Sequence, residues 1–144
     1  KDGYGIRDYM VTEAKEQGVD TIITCDNGIS AGQPIQTAKE LGMTVVLTDH
    51  HEVPMKDGEE LLPSADVIVD PKQSVDNYPY PQLCGAGIAY KLIYELYHRA
   101  GKKGCDRELL PLRRWQRCVM LFRFMAKIAA LFEGGWRGFI RRAI

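Results

Sequence analysis

The sequence predicts an α/β fold, in which a parallel β-sheet carries helices on both faces and which is incomplete over these 144 residues. Two observations predict it. Segments whose apolar residues recur at helical spacing alternate with short runs rich in β-branched residues. Three of these runs end at an aspartate, and strands that alternate with helices in this way pair in parallel through right-handed crossovers.

The first three elements lie before residue 42. A helix is expected over residues 4–17, where apolar side chains follow a period of three to four residues. A strand is expected over residues 19–25, since its nearly continuous apolar run is typical of a strand buried on both faces. A second helix is expected over about residues 33–41, with Pro34 in its first turn and Gly42 as its C-terminal stop.

The remaining elements follow the same alternation. The second strand is expected over residues 43–48 and the third over residues 65–69. A polar loop with several prolines, residues 72–82, leads to an amphipathic helix expected over residues 88–99. The sheet, and any site at its carboxyl edge, is therefore predicted within one domain spanning residues 1–112.

Composition and charge narrow the class of protein. No apolar run approaches the roughly 18 residues of a membrane span, and no secretory signal pattern opens the chain, so we expect no membrane association. The four cysteines form no CxxC pair, which favours reduced thiols in a cytoplasmic protein over a zinc ribbon or a disulfide framework. Residues 113–144 carry a net charge of +7 and residues 1–112 a net charge of −7, which indicates two parts of different character.

Acidic and imidazole side chains gather at the predicted strand ends. Asp26, Asp49 and Asp70 each follow a strand, and His50 and His51 come directly after Asp49. The carboxyl ends of parallel strands lie along one edge of the sheet, where ligands bind. Carboxylates with imidazoles and no thiolate suit Mn²⁺ or Mg²⁺ better than structural zinc. The alternative is that the aspartates are turn or cap residues and that the histidine pair is exposed.

A glycine-rich segment opens the last predicted helix. Gly85, Ala86 and Gly87 follow Cys84, and backbone N–H groups at such a helix start can bind a phosphate. Glycines that only allow close helix packing are the alternative.

Five segments carry a resemblance to a known family. They are Asp2-Gly-Tyr-Gly-Ile6, Thr24-Cys-Asp-Asn-Gly-Ile-Ser30, Leu47-Thr-Asp-His-His-Glu52, Val69-Asp-Pro-Lys-Gln73 and Tyr80-Pro-Gln-Leu-Cys-Gly-Ala-Gly-Ile-Ala-Tyr-Lys-Leu92. Residues 1–112 resemble the DHH phosphoesterases, and within them the RecJ-type single-strand-specific DNA exonucleases. The Asp-His-His triplet indicates the superfamily, whereas the Cys84-Gly-Ala-Gly87 stretch and the Asp26-Asn-Gly-Ile-Ser30 turn point to the RecJ type.

The resemblance implies a role for each matching residue. Asp26 matches a carboxylate that bridges two divalent metals, and His50 matches a metal-binding histidine. His51 matches a catalytic histidine that lies against the metals and the scissile phosphate, and Asp49 matches the acid that orients the triplet. Asp70 matches a position near the site that is not a ligand. The segment close to the nucleic acid corresponds to Gly85, Ala86 and Gly87.

The activity implied is a Mn²⁺- or Mg²⁺-dependent phosphodiesterase that degrades single-stranded DNA from the 5′ end in repair and recombination. Two metals about 3.5–4 Å apart would activate water, stabilise the leaving oxygen and neutralise phosphoryl charge. One alternative is another DHH phosphoesterase, acting on oligoribonucleotides, cyclic dinucleotides or pyrophosphate. A second alternative is a remnant that binds metal or nucleic acid without catalysis.

Two departures from the RecJ pattern predict little nuclease activity. The first RecJ motif, an Asp-x-Asp on an earlier strand, would precede the segment that Gly3-Tyr-Gly5 resembles. The fourth motif, which supplies another metal-binding aspartate, has no counterpart after Leu112. This chain is therefore expected to lack several of the family's metal ligands.

The basic tail, residues 113–144, has two interpretations. The codons from Arg113 onward can be read in another frame by joining the third base of each codon with the first two bases of the next. In that frame, codon degeneracy permits the sequence Ala-Met-Ala-Thr-Val-Cys-Asp-Val-Val-Pro-Leu-Tyr-Gly-Glu-Asn-Arg. This sequence resembles the missing fourth motif. This register suggests a frameshift near Leu112, so that the tail is out-of-frame translation. Alternatively, apolar residues interleaved with arginines form a cationic amphipathic helix that binds anionic membrane or DNA phosphates.

Overall fold

The computed structural model describes residues 5–75 and 78–102. Within these ranges the chain forms three helices and five short strands. In chain order they are α1 (Asp8–Glu16), β1 (Thr21–Ile23), α2 (Gly32–Glu40), β2 (Thr44–Thr48), β3 (Met55–Lys56), β4 (Glu59–Glu60), β5 (Val67–Val69) and α3 (Gly85–Arg99).

The central sheet has the strand order β1-β2-β5, and both pairings are parallel. Backbone pairing continues past the strands: the Asp26 N–H donates to the Thr48 carbonyl at 3.1 Å, and the Asp49 N–H donates to the Val69 carbonyl at 3.1 Å. The predicted α/β fold with a parallel sheet is confirmed. Because all three strands run in the same direction, the residues that follow them lie along one edge.

The main core lies between this sheet and the first two helices. Val45 and Leu47 alternate along β2 and are fully buried, and α2 contributes Ile35 and Ala38 to the same cluster. Alternate residues of a strand point to one face, so β2 presents a continuous apolar row to the helices. The buried residues of α3 lie outside this cluster. The core thus fixes β2, whose last residue precedes the Asp-His-His triplet.

Apart from shifts of a few residues at element ends, the structure differs from the sequence prediction at β1 and in an added hairpin. The expected strand over residues 19–25 is only three residues long, and its residues are half-buried, so the prediction that it is buried on both faces is wrong. It pairs with β2 alone and lies at an edge of the described sheet. The antiparallel hairpin β3-β4 is an addition. Its two-residue turn, Asp57 and Gly58, has positive φ at both positions, which suits a type I′ hairpin turn.

The proposed division at residue 112 and both interpretations of the tail concern residues outside the described ranges and stay predictions. Among the described residues, no helix combines the length and apolar character needed to cross a membrane.

Candidate metal centre

Asp26 lies in a turn that directs its carboxylate toward the edge of the sheet. Its φ is +63°, in the left-handed region that residues other than glycine rarely adopt. The Asp26 N–H bond to Thr48 holds one end of the turn. Gly28, with φ of +119°, passes so close to Leu47 that a Cβ atom at Gly28 would stand 3.1 Å from Leu47 Cγ. The backbone of this turn therefore requires a glycine at position 28.

Asp49 accepts hydrogen bonds from the backbone N–H groups of three residues, Ile29, His50 and His51. Its side chain is 1% exposed. Its Oδ2 accepts the Ile29 N–H at 2.9 Å, which ties the triplet to the loop after Asp26. Its Oδ1 accepts the His50 N–H at 2.8 Å and contacts His51 Nδ1 at 2.6 Å. Asp49 thus holds the backbone of His50 and the imidazole of His51, and its role in positioning the triplet stays a prediction.

The two histidines have different partners. His50 Nε2 lies 2.8 Å from Asp26 Oδ1, whereas His51 is held through Nδ1 by Asp49. The two rings are tilted by 47° with centroids 4.7 Å apart. Since Asp49 engages Nδ1 of His51, Nε2 is the nitrogen of His51 that can contact a cation or a phosphate.

Asp26, His50 and His51 form a donor cluster. One ligand atom from each lies within 4.8 Å of the others, and all three side chains are open to solvent in part. One carboxylate oxygen with two imidazole nitrogens fits part of the coordination shell of a divalent cation. Sequence reasoning placed Asp26 and His50 as metal ligands and His51 beside them, and the structure brings these three together.

Cys25 does not extend the donor set. Burial, together with the neighbouring charge of Asp26, raises the pKa of the Cys25 thiol to about 11. The Cys25 sulfur is not among the ligand atoms that lie together at Asp26, His50 and His51. The site keeps the hard oxygen and nitrogen character that the sequence indicated.

The predicted substrate-binding segment Gly85, Ala86 and Gly87 forms the first turn of α3, after the N-cap Cys84. The helix thus starts three residues earlier than predicted. A Cβ atom at Gly85 would stand 2.6 Å from Asp26 Cγ and 2.7 Å from Asp26 Cβ. The positive end of the α3 dipole consequently faces the Asp26 carboxylate. Sequence reasoning missed this contact, and contact of the segment with a nucleic acid stays a prediction.

Asp70 follows β5 and is fully buried, at 0% exposure. Its Oδ1 accepts the Lys72 N–H at 3.0 Å. Burial raises the pKa of the Asp70 carboxyl, and the hydrogen bond from Lys72 opposes that rise only in part. Asp70 is not a member of the donor cluster.

A groove of about 1020 Å³ leads away from the site. It begins at Asp49 and His51, passes over the loop of residues 27–31 and reaches the start of α1. Its size is sufficient for a nucleotide.

Comparison with known proteins gives consistent matches. Residues 3–113 match the model of the DHH family, N-terminal domain. The chain is similar to the single-stranded-DNA-specific exonuclease RecJ of Bacillus subtilis, with 45% identity over 96 residues, covering 67% of this chain and 12% of the relative. The RecJ exonuclease of Escherichia coli shares 38% identity over 96 residues, covering 67% and 16% of the two chains. That of Salmonella typhimurium shares 38% identity over 113 residues, covering 77% and 19%.

The chain thus spans less than a fifth of the length of these curated relatives. The family match includes every member of the donor cluster, together with Asp49 and Gly85. The parallel sheet, the buried acid of the Asp-His-His triplet and the family match all lead to one conclusion: the chain belongs to the DHH family of phosphoesterases.

Proposed function

We propose that this chain is the metal-binding part of a phosphodiesterase that degrades single-stranded DNA from its 5′ end, releasing mononucleotides in DNA repair and recombination. The observation that carries the proposal is the pairing of Asp26 Oδ1 with His50 Nε2 at 2.8 Å, beside a His51 held by a buried acid. The substrate is inferred from the relatives, which are single-stranded-DNA-specific exonucleases. A cytoplasmic location belongs to the same proposal.

Each side chain has a defined role in this chemistry. Asp26 and His50 would hold a divalent cation, Mn²⁺ or Mg²⁺, through the oxygen and nitrogen that face each other. When bound, the cation activates a water nucleophile and neutralises charge on the phosphoryl oxygens. His51, whose Nδ1 lies against the carboxylate of Asp49, would place Nε2 beside the cation and the scissile phosphate.

The groove provides the path for the substrate. It starts at Asp49 and His51, so a phosphodiester bound at the metal centre would place its flanking nucleotide over the loop of residues 27–31. The lining combines apolar groups of Ile6 and Pro34 with polar groups of Arg7, Asn27 and Ser30, which suits the sugar, base and phosphate of a nucleotide.

The first test is a titration of the full chain with Mn²⁺, followed by electron paramagnetic resonance of the unbound ion. Asp26→Asn should weaken Mn²⁺ binding by tenfold or more, because the amide has no charge to attract the cation. Asp57→Asn is a matched control: Asp57 also has a positive φ, of +54°, but lies in the β3-β4 turn. Equal affinities for Asp26→Asn and the wild type would contradict the proposal.

The described residues supply a single cluster of three metal-binding side chains, and two cations need more ligands than that. We therefore expect the 144-residue chain alone to release few nucleotides from single-stranded DNA, even with Mn²⁺. Rapid Mn²⁺-dependent release by this exact chain would contradict that expectation.

The alternatives differ in substrate or in the absence of catalysis. A panel of single-stranded DNA, short oligoribonucleotides, cyclic dinucleotides and pyrophosphate distinguishes them when tested on a longer protein containing this segment. Preference for DNA, lost in Asp26→Asn, supports the exonuclease. Binding of metal or nucleic acid with no turnover of any substrate supports the non-catalytic alternative.

A further inference from the structure

Aromatic and positively charged residues concentrate in the last described part of the chain. Residues 78–102 contain five of the seven tyrosines in the sequence. The same residues include three Lys or Arg and a single acid, Glu95, whereas residues 5–75 include five Lys or Arg and thirteen acids. The region around α3 is therefore positively charged, while the described residues before it are strongly negative.

Three of these tyrosines, Tyr90, Tyr94 and Tyr97, form one row along α3, which we call the tyrosine stripe. Residues three and four positions apart are neighbours on a helix surface. The rings of Tyr90 and Tyr94 are stacked, with an interplanar angle of 29° and centroids 6.0 Å apart. The packed face of α3 is formed by other residues, among them Ile88 and Ile93, and Tyr94 is 40% exposed. An aromatic surface on α3 is thus open to solvent.

Lysine side chains lie over two of the tyrosine rings in this region. Lys91 Nζ lies 5.5 Å from the centroid of the Tyr78 ring, and Lys102 Nζ lies 5.9 Å from that of the Tyr97 ring. Such cation–π contacts hold an ammonium group beside an aromatic face. Both lysines are exposed, so their ammonium groups are accessible to anions. Aromatic rings interleaved with cations suit the bases and phosphates of a single nucleic-acid strand.

The helix connects this surface to the metal centre. Its first residue, Gly85, lies against the carboxylate of Asp26. Because a helix rises about 1.5 Å per residue, the tyrosine stripe begins about 8 Å from Gly85 and extends over about 10 Å. At about 3.4 Å per nucleotide, this length accommodates about three stacked bases. A strand that leaves the metal centre along α3 would therefore pass over the tyrosine stripe.

We propose that the tyrosine stripe, together with Lys91 and Lys102, is a binding surface for single-stranded DNA beside the metal centre. Bases stack on Tyr94, and the two ammonium groups contact phosphates. The identity of the strand as DNA rests on the proposed function, whereas the surface itself includes no member of the donor cluster. Charge selects a polyanion as the occupant, because this region is positive and the described residues before it are negative.

The test measures the binding of a fluorescent oligothymidylate to the full chain by anisotropy, in chelator so that no metal contributes. Tyr94→Leu keeps an apolar side chain but removes the ring, and it should weaken binding about fivefold or more. Tyr94→Phe keeps the ring and should bind like the wild type. Lys91→Gln should make the plot of log affinity against log salt concentration less steep by about 0.7, the value for one phosphate contact on a single strand. Lys56→Gln, an exposed lysine of β3, is the matched control and should leave the slope unchanged.

Cross-linking locates the bound strand on the protein. The basic residues 113–144 are present in every variant, so a strand containing 5-bromouracil is irradiated on the wild-type chain and the tryptic peptides are identified by mass spectrometry. We expect cross-links in the peptide of residues 92–99, which contains Tyr94 and Tyr97. Cross-links confined to residues 113–144 would overturn the inference, and so would wild-type affinity and salt dependence in both Tyr94→Leu and Lys91→Gln.

Titration with Mn²⁺ separates this inference from the proposed metal centre. If Tyr94→Leu weakens DNA binding while Asp26→Asn binds Mn²⁺ as tightly as the wild type, only the metal centre fails. If Asp26→Asn loses Mn²⁺ while the variants of α3 bind DNA like the wild type, only the tyrosine stripe fails as a DNA surface. That second result would favour a protein segment as the partner of α3.

Discussion

Gly85, the first residue of α3, lies directly against the carboxylate of Asp26, so that a Cβ atom at Gly85 would stand 2.6 Å from Asp26 Cγ. The two residues come from segments far apart in sequence, and their contact joins the start of α3 to the metal centre. A side chain at position 85 would displace either the helix or the ligand. Gly85 thus leaves the space that the Asp26 carboxylate occupies, in addition to starting α3.

Gly85→Ala should accordingly weaken Mn²⁺ binding by about tenfold or more, because the methyl group pushes the Asp26 carboxylate away from His50. Gly32→Ala is the matched control. Gly32 also begins a helix, and a Cβ atom there would meet nothing within 4 Å. Titration with Mn²⁺ measures both variants. Wild-type affinity in Gly85→Ala would show that Asp26 is free to move without loss of the site.

Asp49→Asn should lower the free energy of unfolding by about 2–3 kcal/mol, since hydrogen bonds to a buried charge are lost or weakened. The amide cannot accept from all of the groups that Asp49 serves, which include the Ile29 N–H and His51 Nδ1. Urea unfolding of the metal-free chain measures the change. Asp8→Asn is the control, since Asp8 accepts a hydrogen bond from Thr37 at the exposed surface, and it should cost below about 1 kcal/mol. Equal effects would contradict the role of Asp49.

The backbone of Asp26 gives a prediction that is independent of metal. Asn tolerates the left-handed conformation better than Ala, so Asp26→Ala should be less stable than Asp26→Asn by about 1 kcal/mol. Unfolding in chelator measures this difference. A larger stability for Asp26→Ala would show that the turn relaxes to negative φ.

The ion pair between Lys39 and Asp66 should make part of the free energy of unfolding sensitive to acid. Burial alone would raise the pKa of Asp66, but the hydrogen bond from Lys39 and that from the Val45 N–H bring it below its ordinary value of 3.8. The unfolded state therefore binds the proton more tightly than the folded state. This contribution is complete above pH 3.8 and is lost as the pH falls through the lowered pKa.

Stability measured between pH 6 and pH 2 should thus fall less steeply in Asp66→Asn than in the wild type. Lys39→Met should also flatten the profile, because the cation that lowers the pKa is gone. The control is Glu40→Gln, whose carboxylate accepts a hydrogen bond from Gln36 on the exposed face of α2, and its profile should match that of the wild type. Identical profiles for Asp66→Asn and the wild type would exclude this ion pair as a source of acid sensitivity.

The common edge of the site residues could be predicted from the sequence because it depends only on where each strand ends. A β-branched run that ends in an acid predicts a strand end, and parallel strands bring such ends together, which placed Asp26, Asp49 and Asp70 on one edge. The role of Asp49 in orienting the triplet was implied by the family resemblance and stays a prediction. The half-buried state of β1 was not, because an apolar run shows what a strand can bury and not which neighbours cover it.

The contact between Gly85 and Asp26 could not be derived from spacing. A glycine pair at a helix start predicts close approach of some group, but the identity of that group depends on how α3 packs on β2. The sequence also does not show that Asp70 Oδ2 is buried without a hydrogen-bond partner among the described residues. An aspartate before a proline is typical of an ordinary turn, and its depth of burial depends on the folded chain.

Whether Asp26 and His50 hold a divalent cation can be measured by anomalous diffraction at the manganese edge from crystals of the full chain grown with Mn²⁺. We expect an anomalous peak about 2.0–2.6 Å from Asp26 Oδ1 and from His50 Nε2, and no such peak in Asp26→Asn. A peak that avoids both atoms, or a persistent peak in the variant, would contradict it.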